Sequence, residues 1–122
     1  VANPDFLLLN HVYGQPLYSG RLSTTSATTV YTSAANTCTK ITQAVVDNTS
    51  GAIVNVTVAQ LKSGDTDDGT HNLITTFPLG ALESLTLEDH LVGAFLEPFG
   101  AISVTVSTAN VITVVLSGLV FS

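Results

Sequence analysis

Asp65, Asp67, Asp68 and His71 fall within SGDTDDGTHN (63–72), the one window whose residue types and spacing are worth testing as a cation site. Calcium takes several oxygens from a tight loop, and an EF-hand sets acids at its first, third and fifth positions ahead of an invariant glycine. Counting back from Gly69 puts Gly64 first and Thr66 third, so the pattern fails, and no glutamate closes the loop. The window is expected to be a solvated hairpin loop. His11, His71 and His90 are far apart and lack the i, i+4 spacing of a zinc helix. Asp89 and His90 are adjacent, and neighbours on a strand point to opposite faces. A Ser-His-Asp triad is recognised by geometry, so a chain rich in Ser with three His says nothing for or against one. There is no G-x-S-x-G elbow and no phosphate-cradling glycine loop. Cys38 is alone, which excludes an intrachain disulfide and reads as a small buried strand residue. No catalytic residue, metal ligand or cofactor is expected.

The charge balance excludes further classes. The net charge is −6, and Arg21, Lys40 and Lys62 are the only permanent cations. Three scattered cations cannot supply the basic footprint that nucleic acid requires, nor bind an anionic membrane surface. No stretch approaches the roughly 20 apolar residues of a membrane span, and no signal peptide is visible. Asn48-Thr49-Ser50 and Asn55-Val56-Thr57 match the glycosylation sequon, as an Asn/Thr-rich chain does by chance. Only 10% of the 122 residues are charged, against about 25% in ordinary domains. Thr, Ser and Asn take the exposed positions, which suits either a surface packed beside neighbours or a plain Thr-rich β domain.

The elements follow from periodicity. Ile102, Val104 and Val106 alternate with Ser103, Thr105 and Ser107, and Ile112, Val114, Leu116 and Val120 continue after Ser-Thr-Ala-Asn (107–110), so 101–122 reads as an antiparallel hairpin with one apolar face. Val54, Val56 and Val58 offer a matching face, and the parity then switches at Ala59 and Leu61, which suggests a bulge or a strand leaving the sheet. Further strands are expected at Pro16–Ser23, Thr28–Thr32, Thr37–Asp47, Leu73–Phe77 (stopped by Pro78), Leu79–Glu88 and within Leu91–Gly100. In Thr37–Asp47, Ile41 and Val45 oppose Ala44 and Val46, so that strand is buried on both faces or bulged. No segment holds a helical period. The fold class is therefore all-β: an antiparallel β-sandwich or jelly-roll-like barrel of about seven or eight short strands. Residues 16–122 form its single domain. Residues 1–15 form an apolar arm, which either folds onto its own domain as a first strand or short turn, reaches a neighbouring subunit, or is disordered; Phe6, Leu7, Leu8, Leu9, Val12 and Tyr13 are the candidate subunit or partner contacts.

Read end to end, the chain resembles small β-sandwich structural proteins of tailed bacteriophages. The likeness is carried by TTVYT (28–32), ITQAVVDNTSGAIVNVTVAQL (41–61), the SGD of the polar loop (63–65), ESLTLEDHLV (83–92) and ISVTVSTANVITVVLSG (102–118). It covers Leu17–Gly118 and leaves residues 1–15 outside. The resemblance implies a non-enzymatic virion component, assembled in the bacterial host cytoplasm. A capsid decoration or accessory protein is expected, with a tail, neck or fibre module binding a receptor or carbohydrate as the alternative. It also implies a homo-oligomer, a trimer as first guess, with the major capsid protein among its partners.

Overall fold

The computed structural model describes residues 12–87 and 91–122. Among these residues nine strands follow in chain order: β1 (Val12–Arg21), β2 (Thr28–Thr32), β3 (Cys38–Asn48), β4 (Val54–Leu61), β5 (Asn72–Leu79), β6 (Ser84–Thr86), β7 (Phe95–Leu96), β8 (Ala101–Val106) and β9 (Ile112–Phe121). They form two antiparallel sheets, a five-stranded one in the order β1-β9-β3-β6 with β7 also on β3, and a four-stranded one in the order β2-β8-β4-β5. The all-β sandwich is the expected class, and the strand order resolves it further. The pairs β1·β9, β2·β8, β3·β6 and β4·β5 are those of one long hairpin whose arms alternate between the two layers. Rolled up in this way, the chain is a jelly roll. Its tip, between β4 and β5, is the acidic window.

The C-terminal strands do not pair with each other, so the expected hairpin at 107–110 is corrected. β8 lies between β2 and β4, and β9 lies between β1 and β3 in the other sheet. The reason is burial. Side by side, the two strands would leave their apolar faces uncovered; in opposite layers, Ile102, Val104 and Val106 meet Ile112, Val114 and Leu116 in one core, all at most 2% exposed. Each such side chain contributes about 1.5–3 kcal/mol on full burial. The corner between them is anchored by Asn110 N–H to Leu22 O at 2.8 Å and Leu22 N–H to Ile112 O at 2.9 Å. Asn110 takes the left-handed conformation there (φ 65°), which asparagine tolerates better than most residues.

In β3 the ambiguous parity comes from a bulge. Its register on β9 shifts between Ile41 and Gln43, so Ile41 on one side and Ala44 and Val46 on the other all point inward. In β4 the pairing with β8 is unbroken from Val56↔Val106 to Leu61↔Ala101. Ala59 and Leu61 are therefore on the outer face, and with Ala101 they form a second small buried cluster.

Three boundaries differ from expectation. β1 begins at Val12, four residues before Pro16, because the end of β9 needs a partner: Val12↔Phe121 through Gln15↔Gly118 extend the pairing. Residues 12–15, placed in the arm by the expected boundary, belong to the sheet as the start of a first strand, which is the alternative of a segment folded onto its own domain, and Leu119-Val120-Phe121 are held between β1 and β3. Pro78 does not stop its strand, since β5 is an edge and a missing N–H can face outward there. Leu79–Glu88 is not one strand: Leu79 ends β5, a turn follows with Leu82 at φ 58°, and β6 holds only Ser84–Thr86.

Candidate functional site

The acidic loop is bound up in its own architecture. Lys62 N–H donates to Asp65 Oδ2 at 2.9 Å, and His71 Nδ1 lies 3.6 Å from the same oxygen. Asp68 Oδ1 accepts from the Thr70 hydroxyl at 2.6 Å and from Thr70 N–H at 3.1 Å. Those two bonds from Thr70, side chain first, hold the Asp68 carboxyl below its ordinary value of 3.8. Asp67 turns the other way and accepts the hydroxyl of Ser103, a residue only 2% exposed, at 2.5 Å. Ser103 pairs with Ala59 and therefore shares the outer face of the four-stranded sheet with the small cluster of Ala59, Leu61 and Ala101. The loop thus folds back over this face, with Asp67 as its fastening. The three carboxylates point at three different sets of partners instead of converging. Among the described residues no group of three or more His, Cys, Asp or Glu side chains is placed to hold a metal ion.

The remaining candidates are equally committed. Cys38 is 5% exposed; burial, and then the Glu97 carboxylate, push its thiol above its ordinary value of 9.0. A thiol held protonated is a poor nucleophile. Ser33, fully buried, donates its hydroxyl to Thr37 O at 2.8 Å and sits 3.2 Å from Thr39 Oγ1, which ties β2 to β3. Asn48 is the hub of the opposite end: its amide nitrogen reaches Ala52 O, Leu79 O and Gly80 O at 2.8, 3.1 and 3.0 Å, while Oδ1 accepts from Ser50 N–H and the Ser50 hydroxyl. This asparagine is 0% exposed, so the sequon at 48–50 is a turn-pinning motif and not a glycan acceptor. Asn48-Thr49-Ser50-Gly51 has the residue types of a turn; that one side chain bridges the β3–β4 and β5–β6 corners depends on contacts far apart in the chain.

The surface carries two further features. One is a shallow groove of about 320 Å³ on the outer face of the four-stranded sheet, lined by Thr25, Asn55, Thr57, Thr76, Thr105 and Ser107. The other is an apolar corner of the five-stranded sheet. Of the candidate contacts, Val12 and Tyr13 lie there, 53% and 49% exposed, paired with Phe121 and Val120. Phe6, Leu7, Leu8 and Leu9 lie outside the described residues, as do His11, Glu88, Asp89 and His90.

A solved structure has the same kind of fold. The chain is similar to one in the crystal structure of the T13 IBDV viral particle, an icosahedral virus, with a TM-score of 0.51 over 91% of this chain. Sequence identity is 14%, so the likeness is one of fold. This chain spans 30% of the length of that one. No protein-family model matches the chain, and no curated protein matches it.

Proposed function

We propose that this chain is a non-enzymatic structural component of a virion. The observation that carries the reading is the rolled-hairpin strand order, shared in fold with a chain of an icosahedral viral particle. Jelly rolls also serve in lectins and cupins, so fold alone does not choose among them. Two further features support the virion role: the loop carboxylates are turned to holding the fold, and the surface is poor in charge. The resemblance over Leu17–Gly118 adds the finer reading of a tailed bacteriophage, in which the chain decorates or braces the capsid as a homo-oligomer beside the major capsid protein. Phe6, Leu7, Leu8, Leu9, Val12 and Tyr13 are then its subunit contacts.

The second reading, a tail, neck or fibre module that binds a receptor glycan, is favoured by the hydroxyl-lined groove at Thr57 and Thr105. The chain has no Trp to stack on a sugar ring, which weighs against it. Density-gradient sedimentation of the purified protein with particles separates these readings. Co-migration with tail-less heads supports decoration, co-migration with isolated tails supports the second reading, and a chain left as a monomer at the top of the gradient contradicts both.

A further inference from the structure

The edges of the two sheets are poor places to join copies. β1 carries Pro16 and a register shift, β2 has five residues, β5 carries Pro78 with Thr76 at φ 50°, and β6 has three residues. Short strands, bulges and prolines are how sheets avoid edge-to-edge addition. The outer face of the four-stranded sheet is no better. Asp67 fastens the acidic loop to Ser103 there, so two copies meeting on that face would set carboxylates against carboxylates.

The outer face of the five-stranded sheet is different. On β9, Ile112, Val114 and Leu116 are buried, so Thr113 and Val115 face out. Directly paired residues share a face, and Thr113 stands between Arg21 of β1 and Asp47 of β3. In the next row Val115 stands between Ser19 and Val45. Arg21 is exposed, and among the described residues it has no ion-pair partner. Asp47 accepts the Ser84 hydroxyl on Oδ1 at 2.7 Å, which orients the carboxylate and leaves Oδ2 to spare. A cation and a carboxylate thus flank the central strand, one on either side, over a patch of valine, serine and threonine.

This arrangement is complementary to itself. Neighbouring strands lie about 4.8 Å apart, so Arg21 and Asp47 are separated by about 10 Å across the sheet. A half-turn about an axis parallel to β9 exchanges the two sides of the sheet and keeps each position along the strand. Laid face to face by that operation, each copy sets Arg21 opposite the other's Asp47, and Val115 meets Val115 on the axis. Packed sheets are about 10 Å apart, a gap that an arginine and an aspartate side chain bridge together. A half-turn about an axis across the strands would instead bring arginine over arginine and aspartate over aspartate.

We infer that the outer face of the five-stranded sheet, centred on Thr113 and Val115, joins two copies of this chain about a two-fold axis through two reciprocal Arg21–Asp47 ion pairs. This rests on the reading of the chain as a self-assembling virion protein and names a surface by which copies meet. The valines supply the apolar contact, and the ion pairs fix orientation more than they add affinity.

The test is charge reversal with cross-complementation. Arg21→Glu and Asp47→Lys, each in the full-length chain, set like charges opposite one another twice in every pair of copies. Each alone is expected to weaken self-association about tenfold or more in sedimentation equilibrium. An equimolar mixture of the two variants is expected to restore it, because every opposed pair is again of opposite sign. The chain carrying both substitutions is expected to associate as the native one does. Val115→Lys, which puts two ammonium groups on the axis, is expected to separate the copies and does not depend on the Asp47 variant folding; circular dichroism checks the fold of each. A native chain that stays monomeric, variants that associate like it, or folded variants whose mixture fails to recover would each overturn the inference. Variants that associate like the native chain and still sediment with particles would leave the virion reading standing. Failure of the virion reading looks different: the mixture recovers, and the restored dimer binds neither heads nor tails.

Discussion

Ser103, buried on the outer face of the four-stranded sheet, gives its hydroxyl to Asp67 at 2.5 Å, and this one bond fastens the tip of the rolled hairpin to the sheet it was rolled from. The acidic loop is consequently part of the scaffold. Asp67 holds it against the face that also carries Ala59, Leu61 and Ala101.

Removing either partner leaves the other short of its bond in a partly buried place. Asp67→Ala and Ser103→Ala are each expected to cost about 1.5–3 kcal/mol, the range for a hydrogen bond to a charged group. The double variant should cost less than the sum of the two. Urea denaturation of the four proteins measures this; strictly additive values would deny the coupling.

Asn48 pins two corners at once. Asn48→Ala is expected to destabilise the sandwich by about 3 kcal/mol, since three carbonyls lose a donor in a site closed to water. The denaturation midpoint should fall without a change in slope.

Gly118 lies in β9 opposite the bulge of β3. A Cβ there would meet Lys40 O at 2.5 Å and Leu17 Cδ1 at 2.9 Å, whereas one on Gly51 would meet nothing within 4 Å. Gly118→Ala should cost about 1–3 kcal/mol as the central pairing shifts, and Gly51→Ala should be close to neutral. Thermal melts of the two variants decide it.

Acid should loosen the loop before the sandwich. The Asp68 carboxyl is held below its ordinary 3.8 by Thr70, so the charged form is favoured in the folded loop. That contribution is fully present above the ordinary value and is lost as the pH falls through the depressed one. Hydrogen exchange at Thr70 N–H, corrected for its intrinsic pH dependence, should lose protection over that acid range, and Asp68→Asn should remove the transition.

Calcium should find no site among carboxylates already turned to three sets of partners. Calorimetric titration is expected to give no binding heat, and a chelator should leave the melting temperature where it was.

Much of this fold was legible locally. The parity of Val54, Val56 and Val58 named an inner face, and the conflict of Ile41 with Ala44 and Val46 announced the bulge, because one inserted residue flips a strand's pattern. The layer to which each strand belongs was not legible. Ala101–Val106 and Ile112–Phe121 have the same alternation whether they lie side by side or face to face, and only the competition for cover decides. Pro78 misled for a related reason, since its tolerance depends on β5 being an edge. The loop residues were singled out correctly as the most polar window, but the partner of Asp67 lies 36 positions away, beyond any local pattern.

Electron microscopy of purified particles, at a resolution that separates subunits, tests the central claim most directly. The account predicts density for this sandwich on or within the particle shell, in symmetry-related copies. Particles that lack such density, together with a purified chain that stays monomeric and binds neither heads nor tails, would contradict it.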